Sequence, residues 1–270
     1  MHPMDVITQT YLTSAEMGGL SPLQIHHPPG TFAITPASRI ALQAIGEKQH
    51  LLAGNGLDWG SGTGCLTLAA ALIDQVDRVI GLELSEPNVA IARHNAQRNQ
   101  LSDKVRFYQS DSYVPSAENE RLTLEQLKGK INFVLSNPPS SEEDDGFEFR
   151  RIVLRGARDF LVPHGVVLLN ISYQYGHERI MALSDQIAGY RYDGVIATTD
   201  WVPFDLGRPD LYQCLVNYAA EEAQGGMQYE FSDPSRPKTI LNAQVALAAY
   251  EQTQRNPLSK WQTHLFTFLG

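Results

Sequence analysis

The chain has 270 residues, 43% hydrophobic and 19% charged, a composition that suits a globular protein with a substantial buried core. A formal net charge of -9 disfavours free nucleic acid unless a local basic patch overrides that field. Cys65 and Cys214 make no disulfide framework. The N-terminus lacks the basic stretch and apolar run of a secretory leader, and no segment nears the roughly 20 apolar residues of a membrane span. A cytoplasmic location and no membrane partner are expected.

Residues 1–30 read as an N-terminal extension with room for a short helix, followed by a His-Pro-rich run (His26 to Gly30) that cannot be regular helix. His26 and His27 are adjacent and point in different directions, so they make a poor metal pair. No Cys/His set has zinc spacing, and no metal is expected. From 31 to 220 lies the expected main domain, where β-rich runs alternate with helical patterns in the manner of βαβ units. Strands are expected at 56–59, 78–82, 105–109, 132–135 and 166–171, with helices at 65–72, 86–99 and 147–160. Ser85 reads as an N-cap, with Pro87 in the first turn. Two further strands at 194–199 and 212–218 read as an appended hairpin around a loop holding Pro203, Gly207 and Pro209. Residues 221–270 form a C-terminal extension: a break at Gly225-Gly226, a helical stretch around 239–252, and an aromatic-rich end.

The first strand runs into Gly60-Ser61-Gly62-Thr63-Gly64, just before a helix. Glycines there let the backbone approach a ligand, and the helix N-terminus turns its amides toward it. The spacing is G-x-G-x-G, not the G-x-G-x-x-G of dinucleotide binding. Asp58, just ahead, would repel a pyrophosphate and attract an ammonium group. Glu83, with Leu84 beside it, ends the second strand where an acid can accept both hydroxyls of a ribose. Asp111, with Ser112, follows the third strand and is placed for an adenine amino group.

In this order the segments LDWGSGTG, GLELSE and FYQSDSY resemble the successive cofactor motifs of class I S-adenosylmethionine-dependent methyltransferases. The implied fold is α/β: a Rossmann-like, seven-stranded, mostly parallel sheet with helices on both faces and a C-terminal β-hairpin. S-adenosylmethionine is the implied cofactor. Asp58 and the glycines would hold its methionyl part, Glu83 the ribose, Asp111 and Ser112 the adenine.

The fourth strand ends in Asn137-Pro138-Pro139-Ser140, where an open α/β sheet binds ligands. This resembles the Asn-Pro-Pro-aromatic motif of methyltransferases acting on planar nitrogens, from adenine amines to the glutamine amide of release factors. A lone pair delocalised into a π-system is a poor nucleophile. The Asn137 side-chain oxygen and the Pro138 carbonyl can hold the two amine hydrogens and aim that lone pair, with Pro139 stiffening the turn. Ser140 stands where those families carry an aromatic. Tyr113, Phe147, Phe149, Tyr173 and Tyr175 are candidate replacements, the last two preferred, with core or rim packing as their plainer role.

Thr35-Pro36, ahead of a helical pattern, resembles the element covering the methionine end of the cofactor in amino-methyltransferases. It reads equally as an N-cap with a first-turn proline. Residues 144–172 resemble the matching part of release-factor glutamine methyltransferases, although 30 residues are too few for the helical N-terminal domain expected of them. Arg151, Arg155 and Arg158 share a helix face that is a solvated stripe or a phosphate contact, and the acidic run from Glu142 to Asp145 reads as an exposed loop. Cys65, at a helix N-terminus where a thiol pKa can fall, reads mainly as a small residue fitting the glycine turn. The expected reaction is methyl transfer to a nitrogen of a protein side chain or small molecule. RNA stands behind both, and an NAD-binding oxidoreductase or a non-catalytic cofactor-binding protein are the alternatives of another class.

Overall fold

The structure, a computed structural model, describes residues 8–141 and 145–270; Glu142, Glu143 and Asp144 of the acidic run lie outside the described residues. In chain order, a hairpin of β1 (Gln9–Leu12) and β2 (Leu23–His26) leads to α1 (Pro36–Glu47), β3 (Gly54–Trp59) and α2 (Cys65–Ala71). Next come β4 (Val76–Glu83), α3 (Glu86–Arg98), β5 (Val105–Asp111), β6 (Val114–Pro115) and α4 (Glu118–Glu125). They are followed by β7 (Ile131–Ser136), α5 (Glu148–Phe160), β8 (Leu161–Asn170), α6 (His177–Gln186) and β9 (Tyr190–Thr198). The remainder holds β10 (Val202–Pro203), α7 (Pro209–Ala223), β11 (Phe231–Asp233), β12 (Arg236–Leu241), α8 (Ala243–Thr253), β13 (Leu258–Ser259) and β14 (Gln262–Phe268).

The main sheet has the order β6-β5-β4-β3-β7-β8-β14-β9, with the two-residue β6 adding an edge to seven longer strands. Pairing is parallel from β5 across to β8, and β14 is antiparallel to both of its neighbours. Side chains alternate between the two faces. On β8, Val167 and Leu169 join α5 and α6 through Val153, Leu154 and Ile180. Val166 and Leu168 face the other way, into a cluster with Leu42 of α1, Leu68 of α2 and Val89 of α3. Period-two alternation thus buries both faces of the sheet.

Two expectations fail. The antiparallel partner of β9 is not 212–218, which is helical and lies within α7, but β14, drawn from the stretch expected as a C-terminal extension. Pro209 in the first turn starts α7, and Leu215, Tyr218, Ala219 and Glu222 are buried at the i, i+3, i+4, i+7 spacing of one helix face. Among the described residues of the N-terminal segment, a hairpin also stands in place of a short helix, burying Leu12, Met17, Leu23 and Ile25. Between β9 and β14 the chain builds a second, antiparallel sheet, β10-β13-β11-β12, which carries α7 and α8.

Candidate active site

The chain leaves β3 for β4 and β5 on one side and later adds β7 and β8 on the other, so the sheet reverses direction between β3 and β7. Ligands of open α/β sheets bind at such switch points, beyond the carboxyl ends of the strands. Register aligns those ends: Trp59 pairs with Leu82 and Ser136, and Ser136 with Leu169. Asp111, Glu83, Gly60, Asn137 and Asn170 therefore follow one another across the sheet edge. At about 4.8 Å per strand, that row spans roughly 19 Å.

A cavity of about 670 Å³ lies over this row. Thr35, Gly60, Ser61, Gly62, Glu83, Leu84, Asp111, Ser112, Asn137, Pro138 and Pro139 all line it. Asp58, Thr63 and Gly64 do not. Gly64 sits where a Cβ would meet Phe107 at 2.9 Å, so it serves helix-to-sheet packing, and the Thr63 hydroxyl donates to the Phe32 carbonyl at 3.0 Å. Asp58 is fully buried behind the loop, where its Oδ2 accepts from the Thr67 backbone N at 2.9 Å and from Oγ1 at 2.6 Å. Burial pushes its carboxyl up to about 7, the Thr67 bonds opposing the rise and Glu83 adding to it.

Glycine is required in the loop itself, where φ is +70° at Gly60, +55° at Gly62 and +90° at Gly64. Glu83 braces the turn: one carboxylate oxygen accepts from Gly62 N at 2.8 Å, the other from Ser85 N at 2.8 Å. Ser85 caps α3 as expected, and Thr35 caps α1 in a reciprocal box with Ser38. The capping residue is also on the cavity wall.

These residues suit a sulfonium cofactor better than a dinucleotide. Two buried polar atoms at the loop, Asp58 Oδ1 and Ser61 Oγ, have no hydrogen-bond partner among the described residues. Carboxylates dominate that end of the cavity, whereas its lining arginines, Arg150 and Arg208, come from α5 and the turn before α7. A pyrophosphate over the loop would meet negative charge, and a cation would be welcomed. Cys65 gives no reactive thiolate: burial, then the charge of Asp58, pushes it up to about 12.

At the other end, Asn137 is held from two sides. Its Nδ2 reaches Ser38 Oγ at 3.4 Å, and its Oδ1 accepts from Asn170 Nδ2 at 3.1 Å. Asn170 is fixed in turn by Thr263 Oγ1 of β14, which donates to its Oδ1 at 2.6 Å. The turn after Asn137 is gathered by Arg150, which is 4% exposed. It donates to the carbonyls of Pro139 at 2.8 Å, Gly146 at 2.9 Å and Pro138 at 3.3 Å, and lies over the Tyr175 ring at 4.9 Å.

The candidate aromatics separate clearly. Tyr113 stacks on Phe160 and donates to the Val153 carbonyl, and Tyr173 packs edge-on to Trp201, both away from the cavity wall. Phe147 is wholly buried against Tyr175. Tyr175 and Phe149 line the cavity, and the Tyr175 hydroxyl donates to Ser140 Oγ at 3.0 Å, so the serine is the partner of a tyrosine that arrives from another strand end. Sequence reasoning missed Asn170, Arg150, Gln174, Tyr218 and Trp261, all on the wall. Asn170 alone carried a signal, as a polar residue near the end of an expected strand. Two arginines of the stripe are paired within the chain, Arg151 by Asp145 and Arg155 by Glu148 at 2.8 Å. Burial opposes ionisation of Asp145, yet Arg151 holds its carboxyl below the usual range.

A glycine loop at the switch point, with acids on the next two strands, defines a class I S-adenosylmethionine-dependent methyltransferase. The chain belongs to the methyltransferase small-domain family, whose model matches residues 22–190. It is 24% identical over 198 residues to a release factor glutamine methyltransferase of Vibrio cholerae, covering 66% of this chain and 64% of that protein. A release factor glutamine methyltransferase of Haemophilus influenzae is 28% identical over 184 residues, covering 57% and 58%. These matches span less than two thirds of the relatives' own length. A methyltransferase from Pyrococcus furiosus shares the fold, with a TM-score of 0.51, 19% identity, and 92% and 89% of the two chains covered. So does a T. thermophilus 16S rRNA methyltransferase solved with AdoMet and guanosine, with a TM-score of 0.53, 23% identity, and 70% and 48% covered. Among the described residues, no helix is long and apolar enough to cross a membrane.

Proposed function

We propose that this chain methylates a planar nitrogen, an amide or amine conjugated to a π-system, on a protein side chain or a small molecule. The observation that carries this reading is the fixed orientation of Asn137 between Ser38 and Asn170 on the cavity wall. S-adenosylmethionine supplies the methyl group as an electrophilic sulfonium when bound. The glycine loop, Glu83 and Asp111 bind and orient one end of the cavity's contents, and Thr35 covers the same end. Asn137 and Pro138 orient the acceptor. A carbonyl oxygen has two lone pairs. Asn170 occupies one on Asn137 Oδ1 and Arg150 makes a long contact to one on Pro138 O, so each oxygen keeps a lone pair for an acceptor hydrogen. Asp210, the carboxylate lining that end, is taken up by Arg208 at 2.6 Å, which fits a reaction driven by orientation and not by a strong base. Relatives named for glutamine in release factors and in ribosomal protein uL3 support an amide-type acceptor.

Asn137→Ala tests the reading. Turnover of isotopically labelled methyl into cell extract should fall on the order of 100-fold, with S-adenosylhomocysteine affinity changed only a few-fold. Near-normal turnover would reduce Asn-Pro-Pro-Ser to a structural turn.

A further inference from the structure

The 670 Å³ cavity extends past Asn137 to a wall that the main sheet does not build. That wall is the face of α7 bearing Leu211, Cys214 and Tyr218, spaced i, i+3, i+7, with Phe204 beside it. It is anchored and not a flap. Tyr218 stacks on Tyr229 at 4.0 Å, and its hydroxyl donates to that of Tyr175 at 3.3 Å. Glu222, 8% exposed, ties the far end of α7 down by accepting from the backbone N of Tyr229 at 2.7 Å and of Ala243 and Gln244 at 3.0 Å. The same inserted unit sets a polar handle. Ser259 of β13 donates to Gln174 Oε1 at 2.6 Å, which leaves the Gln174 amide nitrogen, with no hydrogen-bond partner among the described residues, as a donor on the wall.

We propose that the unit between β9 and β14, through α7, walls this end of the cavity into an acceptor chamber for a free small molecule: a flat, ring-bearing amine or amide carrying an oxygen for Gln174. The inference rests on the proposed methyl transfer and narrows its acceptor. Cavities of a few hundred Å³ lined by aromatic and aliphatic side chains with few polar groups bury most of a small ligand. Phe149, Tyr218 and Trp261 supply flat apolar surface, and Leu211 limits the acceptor's length. A folded macromolecule would have to reach past α7, whose buried contacts hold it in place.

The test incubates the full chain with methyl-labelled S-adenosylmethionine and a bacterial extract split by dialysis into metabolites and macromolecules. Label should enter the metabolite fraction. Leu211→Trp, which fills the chamber, should lower that label at least about tenfold while S-adenosylhomocysteine affinity stays within about twofold. If Leu211→Trp no longer binds S-adenosylhomocysteine, Gln174→Leu is read in its place, with the same loss expected. Label confined to protein or RNA, or undiminished label in the variant that binds, overturns the chamber and leaves the methyl-transfer reading standing. No label in either fraction contradicts the transfer itself, and the chamber with it.

Discussion

Asn170 Nδ2 donates to Asn137 Oδ1 at 3.1 Å and to the Ala37 carbonyl at 2.7 Å, so one carboxamide at the end of β8 joins the Asn-Pro-Pro turn to the start of α1. The orientation of Asn137 is therefore inherited from a residue that carries no motif. Asn170→Ala should lower turnover about tenfold, the scale of one lost hydrogen bond expressed in positioning, with cofactor affinity preserved. Single-turnover rates and a calorimetric titration with S-adenosylhomocysteine check this. Equal losses in both would place Asn170 in general stability.

Arg150 should matter to the fold as much as to the site. Its removal strands the carbonyls of Pro138, Pro139 and Gly146. Arg150→Met is expected to cost about 3 kcal/mol, lowering Tm by roughly 5–10 °C in a chain of this size. Arg150→Lys keeps the charge but not the planar fork and should fall between the two. A melting temperature within about a degree of the parent in both variants would contradict the bracing role.

Asp58 gives the protein a pH signature. An acid whose folded pKa rises from 3.8 to about 7 keeps its proton in the folded state after the unfolded chain has lost it. This group therefore costs stability as pH climbs through that window, and the cost is complete above about 7. A cation seated near the glycine loop favours the carboxylate, so S-adenosylhomocysteine, which bears an ammonium group, should displace a proton on binding near about pH 6. Titration in two buffers of different ionisation enthalpy reads that release, and Asp58→Asn should abolish it. Identical heats in both buffers for the parent would remove Asp58 from the linkage.

Much of this was written in the chain. The expected strands from 56–59 to 166–171 all lie in the central sheet, with 166–171 overrunning β8 by one residue, because short alternating runs closed by Gly, Ser and Pro carry their own punctuation. Gly60, Glu83 and Asp111 follow the ends of β3, β4 and β5, which lie side by side, so their order in sequence became their order in space. What stayed hidden depends on distant partners. β14 is recruited to the sheet by pairing His264 with Leu169, which no local pattern announces. The run Tyr-Gln-Cys-Leu-Val-Asn-Tyr has the aromatic and β-branched texture of a strand, yet Pro209 ahead of it and the 215, 218, 219, 222 spacing favour the helix it forms. The cavity wall that α7 supplies beyond Asn137 was hidden with it. Asp58, expected to hold the methionyl part of the cofactor, lies one layer behind the cavity wall because Thr67 draws its carboxylate toward α2.

A sulfonium-cofactor site along the row from Asp111 to Gly60 is tested by calorimetric titration of the full chain with S-adenosylhomocysteine and with NAD. S-adenosylhomocysteine should bind and NAD should not, and Glu83→Ala should weaken the former at least about tenfold, the scale of a lost charge-assisted hydrogen bond. NAD binding without S-adenosylhomocysteine binding would overturn the sulfonium-cofactor site, and unchanged affinity in Glu83→Ala would remove that carboxylate from it.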